Sequence, residues 1–347
     1  MTDQPEATTT LTRIGPAAVT QAAAQALRSG AVLAFVPAGV LELSGPGAVA
    51  CMQGLLTNDI ERPGDGAFVY GALLTPKGMI VVDGWAGRRG DLVRLTTSAE
   101  GRERAALIFQ KSIPPRLARV ADRSADLRVL RLAGPSAIPL AEAARLPVPI
   151  PSSAGRVDAA EAIEVARAPD GAPFALQWIG SPTDLGGIRS RLAASGAVEC
   201  DPEVLQLARI LAGWPGLTSE VDDRTLPQEI RYDEIGGVSY TKGCYTGQET
   251  VSRVHFRGHP NRALRGLLFS AEPPQQWHTA QSIVLDDKEV GRLTSVAWVP
   301  EGPPGSGVWM GLAILRREVA EGALVRVGMT EARVTVLPLP IPRFDPA

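Results

Sequence analysis

The densest chemistry in the chain lies between positions 238 and 258, VSYTKGCYTGQETVSRVHFRG. Cys244 stands at a bend, directly after Gly243 and three residues before Gly247. Glycine there permits backbone angles that a Cβ forbids and leaves a thiol unobstructed. Lys242, two residues upstream, favours the thiolate, which is the form of cysteine that attacks or ligates. Positions 238–240 and 249–256 carry the β-branched and aromatic content of strands. On the second of these, alternation places Val251, Arg253, His255 and Arg257 on one face, a cationic stripe suited to carboxylates or phosphates. Against this stand two plainer readings: a lone cysteine is often a small buried hydrophobe, and a basic strand face is often solvated surface.

The unbroken run Lys242-Gly243-Cys244-Tyr245-Thr246-Gly247-Gln248-Glu249, followed by Arg253, resembles the signature of the YgfZ family of folate-binding proteins. That family is similar in fold to the glycine-cleavage T-protein, an aminomethyltransferase. The resemblance continues through Gln53-Gly54-Leu55-Leu56-Thr57-Asn58-Asp59, Pro76-Lys77-Gly78, Ala212-Gly213-Trp214-Pro215 and Pro227-Gln228-Glu229, and covers most of the chain from about residue 30 onward. It implies an α+β, GcvT/YgfZ-like three-domain ring around a central cavity. In that ring, residues 14–261 form a folate-binding region of two interleaved α+β subdomains and 262–341 a small C-terminal β-barrel, after a disordered tail at 1–13.

The same resemblance implies tetrahydrofolate or a derivative as ligand. Gln228 and Glu229 are the candidates for the pterin edge, Trp214 for stacking the flat ring, and Lys242, Arg253 and Arg257 for the glutamate tail. Asn58, Asp59, Gly243, Tyr245, Gly247, Gln248 and Glu249 complete the set through the motifs they belong to. Cys244 becomes the working thiol in the assembly or repair of iron–sulfur clusters in client enzymes, tRNA-modifying ones included. One thiolate cannot hold a cluster that takes four ligands, so it would act by shared, transient ligation or by thiol exchange with client or carrier proteins.

Two positions depart from the T-protein pattern. Leu211 stands where relatives often have a pterin-contacting glutamate, and it can neither donate nor accept a hydrogen bond. Asp83 lies near the expected catalytic aspartate but about a residue out of register. Aminomethyl transfer needs a carboxylate held against the reacting amine. A true folate-dependent one-carbon transferase using Asp83 is therefore the alternative to an accessory factor, and a non-catalytic binding scaffold is the third reading.

Composition narrows the rest. The chain has 347 residues, 45% hydrophobic and 21% charged, which is enough for two or three domains of a globular protein. A net charge of -2 gives no global attraction to nucleic acid or to an anionic membrane, and no apolar run reaches the roughly 20 residues of a membrane span. The first ten residues have no apolar core of the kind a signal peptide carries. Cys51, Cys200 and Cys244 form no C-x-x-C pair, so neither a disulfide framework nor a self-contained metal site is expected, and a reducing, cytoplasmic location fits. His255 and His259 have i, i+4 spacing, but Gly258 and Pro260 spoil the helix such a metal pair needs.

The elements that must position these residues follow from periodicity and punctuation. A helix is expected from Gly15-Pro16 to Ser29, strands over 32–36 and 40–43, and a helix over 48–56. An antiparallel meander over 67–74, 79–85 and 92–97 turns at Thr75-Pro76-Lys77-Gly78. A helix follows at 99–111 and a strand at 127–132. The Pro-, Ala- and Ser-rich stretch 134–155 reads as an irregular surface excursion. Strands at 161–166 and 173–179 precede helices at 184–195, with Asp184 as N-cap, and at 202–211. From Arg262 onward only short strands and turns occur, the pattern of a small barrel or sandwich.

Overall fold

The structure, a computed structural model, describes residues 10–149, 155–160, 162–303 and 305–340. The chain opens with β1 (Thr12–Ile14), a 3₁₀ turn, α1 (Gln21–Ser29) and β2 (Val32–Val36). It then builds β3 (Ala38–Ser44), α2 (Ala48–Gln53), β4 (Phe68–Leu74), β5 (Ile80–Arg89), β6 (Leu92–Ser98), α3 (Arg102–Ser112) and β7 (Arg119–Asp122). Next come β8 (Arg128–Ala133), α4 (Ala137–Ala143), β9 (Arg156–Ala160), β10 (Ile163–Arg167), β11 (Leu176–Gly180), α5 (Pro182–Ala194), β12 (Val198–Glu199) and α6 (Pro202–Leu211). A long connection leads to α7 (Gln248–Arg257). The chain ends in β13 (Arg262–Phe269), β14 (Gln281–Leu285), β15 (Lys288–Pro300), β16 (Gly307–Arg316), β17 (Leu324–Val327) and β18 (Thr330–Thr335).

Three sheets result. Strands β3 to β7 pair as β4-β5-β6-β3-β7, while β2 pairs with the later strands as β12-β2-β8-β11-β10-β9, so the two α+β units are interleaved along the chain. Strands β13 to β18 close into a six-stranded barrel, because β15 pairs with β16 as well as with β14. Closure gives each of these strands a partner on both sides. One apolar cluster joins all three units: Val32 from the first sheet, Phe68 and Trp85 from the second, Ile210 of α6 and Met310 of the barrel are all buried in it. That shared core holds the three units in one arrangement around the space between them.

Several local expectations are corrected. Residues 1–9 lie outside the described part of the chain, but 10–13 are not a disordered tail. Thr10 bridges Thr279, Leu11 is buried, and β1 runs parallel to β15 with Thr12 opposite Ser295, because β14 leaves that stretch of β15 unpaired. Positions 238–240 form no strand, and 249–256 is not a strand but the helix α7. Its β-branched content is a weak preference that tertiary context overrides. Glu249 in the first turn and His255 and Arg257 in the last suit the helix dipole, and Val251 packs into the core as the buried residue of the helix. The excursion at 134–155 contains α4, with Ala137 and Ala141 buried against the first sheet. Helix α5 starts two residues early, at Pro182, because Ser181 takes the cap: its Oγ accepts from the Asp184 N–H at 3.2 Å.

Candidate functional site

An open cavity of about 350 Å³ lies between the two α+β units, with Thr12 of β1 and the bend after α6 at its margin. Alternation along β5 puts Asp83 and Trp85 on the cavity face, and β4 adds Tyr70 beside them. Sheet one contributes Arg131 from β8 and Phe174 from the loop before β11, and the bend after α6 contributes Trp214. Asp83 is buried and accepts a 2.6 Å hydrogen bond from the Tyr70 hydroxyl, which lies 3.2 Å from the Tyr232 hydroxyl. Its own backbone carbonyl accepts from Thr97 Oγ1 at 2.7 Å. Loss of hydration pushes the Asp83 carboxyl up to about 6, although the Tyr70 hydrogen bond and the Arg209 charge pull the other way.

This shift has a signed consequence. The folded state binds the Asp83 proton more tightly than the unfolded chain, whose carboxyl keeps its ordinary value of 3.8. Stability from this group is therefore full below pH 3.8 and is lost as pH rises to about 6, by about 3 kcal/mol in all. Asp83→Asn keeps an acceptor for Tyr70 and removes the charge. Its advantage over the parent in denaturant midpoint should grow between pH 4 and 6 and level off by pH 7. A constant difference across that range would show that Asp83 does not titrate there.

The aromatic wall is self-packed. Trp85 stacks on Phe68 at 5.2 Å and on Trp214 at 5.7 Å, with Phe174 edge-on at 5.0 Å. Trp214 is thus a member of the wall, 5% exposed, and its ring is committed to Trp85 and Tyr70 rather than free to stack a ligand on both faces. Its indole N–H has no partner among the described residues.

The signature loop lies elsewhere. Lys242 does not point at Cys244 or at a ligand tail. Its ammonium donates to the carbonyls of Gln53, Leu56 and Asn58 at 2.7, 2.6 and 2.8 Å, spending all three protons on the exit of α2. Burial lowers its pKa to about 8. Gly247 has φ +83, and a Cβ there would stand 2.5 Å from the Thr75 carbonyl, so only glycine lets the loop press onto the Thr75–Gly78 turn. Thr246 N–H bonds to Gly54 O at 3.0 Å, and the buried Tyr245 ring lies under the Lys242 ammonium at 5.1 Å. These four ties hold Cys244 out at the surface: it is exposed and does not line the central cavity. Cys51 and Cys200 are partly covered, and burial pushes the Cys200 thiol up to about 12. Among the described residues no three Cys, His, Asp or Glu side chains are grouped to hold a metal ion.

The other sequence candidates also part from the cavity. Glu229 is committed to Arg262 by two 2.9 Å bonds and to the Leu226 N–H, which fastens the Pro227–Ile230 turn to the start of the barrel. Gln228 donates to Tyr240 and to the Val251 carbonyl. Asn58 bonds the carbonyls of Tyr70 and Gly236, and Asp59 accepts from the N–H groups of Glu61 and Arg62, so both shape the turn after α2. The cationic stripe splits because a helix repeats every 3.6 residues, not every 2. Arg253 and Arg257 share an exposed face with Glu249, while His255 turns back to stack on Tyr240 at 3.6 Å and meet Asp233 at 3.2 Å. Sequence reasoning missed Tyr70, Tyr232 and Arg131. Arg131 had a signal: it is a charge at the one position of RVLRLA flanked by Leu130 and Leu132, both fully buried on the opposite face.

Residues 16–169 match the GCVT N-terminal domain family. The tRNA-modifying protein YgfZ of Aliivibrio fischeri (strain MJ11) is 36% identical over 147 residues, 42% of this chain and 45% of that protein. Its counterpart in Edwardsiella ictaluri (strain 93-146) is 32% identical over 132 residues, 38% of this chain and 39% of that protein. The chain is similar to the GCVT N-terminal domain family over residues 16–169 and to YgfZ proteins over part of its length. The alignments thus span under half the length of these YgfZ relatives. An aminomethyltransferase of Rubrobacter xylanophilus is 27% identical over 315 residues, 86% of this chain and 80% of that one. The crystal structure of the glycine cleavage system aminomethyltransferase T from Bartonella henselae superposes with a TM-score of 0.76 at 18% identity, over 93% of this chain and 90% of that chain, which establishes a shared fold. Leu211 lines a second, more apolar cavity of about 600 Å³ rather than the one beside Asp83. No described helix is long and apolar enough to cross a membrane.

Proposed function

We propose that this protein is a folate-binding accessory factor of the YgfZ type, acting in the cytoplasm, in which the ligand occupies the central cavity and Cys244 serves client proteins from the surface. The observation that carries the reading is the cavity itself: an aromatic-walled cleft with one carboxyl near neutrality and one guanidinium with unspent donors. A pterin is flat and edged with donors and acceptors, and such a site suits it in size and in lining. Asp83 would face the ring edge in place of the Gln228–Glu229 pair, whose groups are spent elsewhere. When bound, a tetrahydrofolate supplies a carrier for one-carbon units. The chain's own residues enclose the ring, exclude water and hold a proton at Asp83. The YgfZ relatives' description as tRNA-modifying proteins supports client enzymes of that class, with cluster assembly or repair as the service Cys244 provides through shared ligation or thiol exchange.

Titration with 5-formyltetrahydrofolate, followed by calorimetry and by tryptophan fluorescence, should show saturable binding and quenching of the Trp85–Trp214 pair. Neither heat nor quenching would remove the folate reading. A second reading, one-carbon transfer to or from a small amine, is favoured by one observation, the placement of Asp83 on the cavity wall. It requires that Asp83→Asn abolish transfer while Cys244→Ser leaves it intact.

A further inference from the structure

We propose that Arg131 is the anchor for a carboxylate in the central cavity; the assignment rests on the folate reading for its ligand. Arg131 lies on β8, and its guanidinium plane packs 4.3 Å from the Phe174 ring centroid. Its Nε donates to Gln177 Oε1 at 3.0 Å, and Gln177 is itself fully buried. These two contacts fix the plane and leave Nη1 and Nη2, the paired edge of the fork, with no hydrogen bond or ion pair among the described residues. Every other arginine reaching this space is spent: Arg209 is bound by Gln206, Trp214, Glu220 and Ser295.

A planar fork held in place with both end donors open matches the two oxygens of a carboxylate. Burial pulls the Arg131 pKa down to about 10, and the Asp83 charge, which offsets part of that, makes no hydrogen bond or ion pair with it, so the paired end of the fork stays open. Lys242, Arg253 and Arg257 do not line this cavity, so Arg131 is the cation there with donors left for an acid group. That acid has two sources, the glutamate tail of a folate or a separate small carboxylate bound beside the ring.

The test compares wild type, Arg131→Met, Arg131→Lys and Gln177→Leu, each checked by circular dichroism and melting. The ligands are 5-formyltetrahydrofolate, a reduced pterin without the benzoylglutamate tail, and acetate. If the tail is the source, Arg131→Met weakens folate binding by about 10- to 100-fold, leaves the tailless pterin unchanged, and is partly rescued by lysine. Gln177→Leu should lose part of the same increment. If a small carboxylate is the source, acetate raises the melting temperature of wild type and not of Arg131→Met, while folate affinity stays the same. Equal loss for folate and tailless pterin overturns the assignment, since Arg131 would then serve the ring or the fold. So does folate binding unchanged in every variant with no acetate response, a result that leaves the folate reading standing. Absence of any binding to wild type overturns both. Should Arg131→Met not fold, Arg131→Lys and Gln177→Leu carry the same comparison.

Discussion

Cys244→Ser should abolish activation of iron–sulfur client enzymes while leaving melting temperature and folate affinity unchanged. The separation follows from geometry. The sulfur is exposed, and the loop around it is held by groups other than the thiol: the Lys242 ammonium on three carbonyls, Thr246 on Gly54, and Gly247 on the Thr75–Gly78 turn. Serine keeps the size and the turn but gives no thiolate at neutral pH. Complementation of a strain lacking the factor, scored by client activity, measures the effect. Full complementation by the serine variant would end the role of the thiol and leave the chain a binding scaffold.

A loss of about 3–5 kcal/mol in stability is expected for Glu220→Ala, read from the denaturant midpoint. Glu220 is 0% exposed and every oxygen site is used. Oε2 accepts from Arg209 at 2.9 Å and from the Gly216 N–H at 2.7 Å, and Oε1 accepts from Thr294 and Ser295 of the barrel at 2.7 and 2.6 Å. Truncation strands the buried Arg209 charge and frees the bend that carries Trp214, so folate binding should weaken with it. The paired change Arg209→Met with Glu220→Leu removes both charges at once and should recover most of the loss, because replacing a whole buried pair by apolar groups is far milder than breaking it. If the single variant costs no more than an exposed ion pair, about 1 kcal/mol or less, the clamp is not what fastens that bend to the barrel.

Much of the architecture was legible because it is written in local pattern. Alternation marks the meander of β4, β5 and β6, Pro and Gly mark its turn, and the loss of any helical period after Arg262 announces the barrel strands. Helix α7 was misread for the same reason. Its β-branched residues state a local preference, whereas its helical form depends on Gly247 docking on the Thr75–Gly78 turn and on Val251 entering the core. The terminal strand β1 was missed because its partner, β15, lies some 280 residues away.

The residues by themselves carried a resemblance to the YgfZ family, through the signature at 242–249 and its companion motifs, and with it the fold and the presence of a thiol set between glycines. Only the tertiary structure decided what each motif does. It turned Lys242 inward, spent Glu229 on Arg262, and built the cavity from Tyr70, Asp83, Arg131, Phe174 and Trp214, which no spacing rule groups together. The physical reason is that spacing encodes which face of one element a side chain occupies. Which faces then meet is settled by the shared burial of three sheets, and a buried charge goes wherever that packing leaves it a partner.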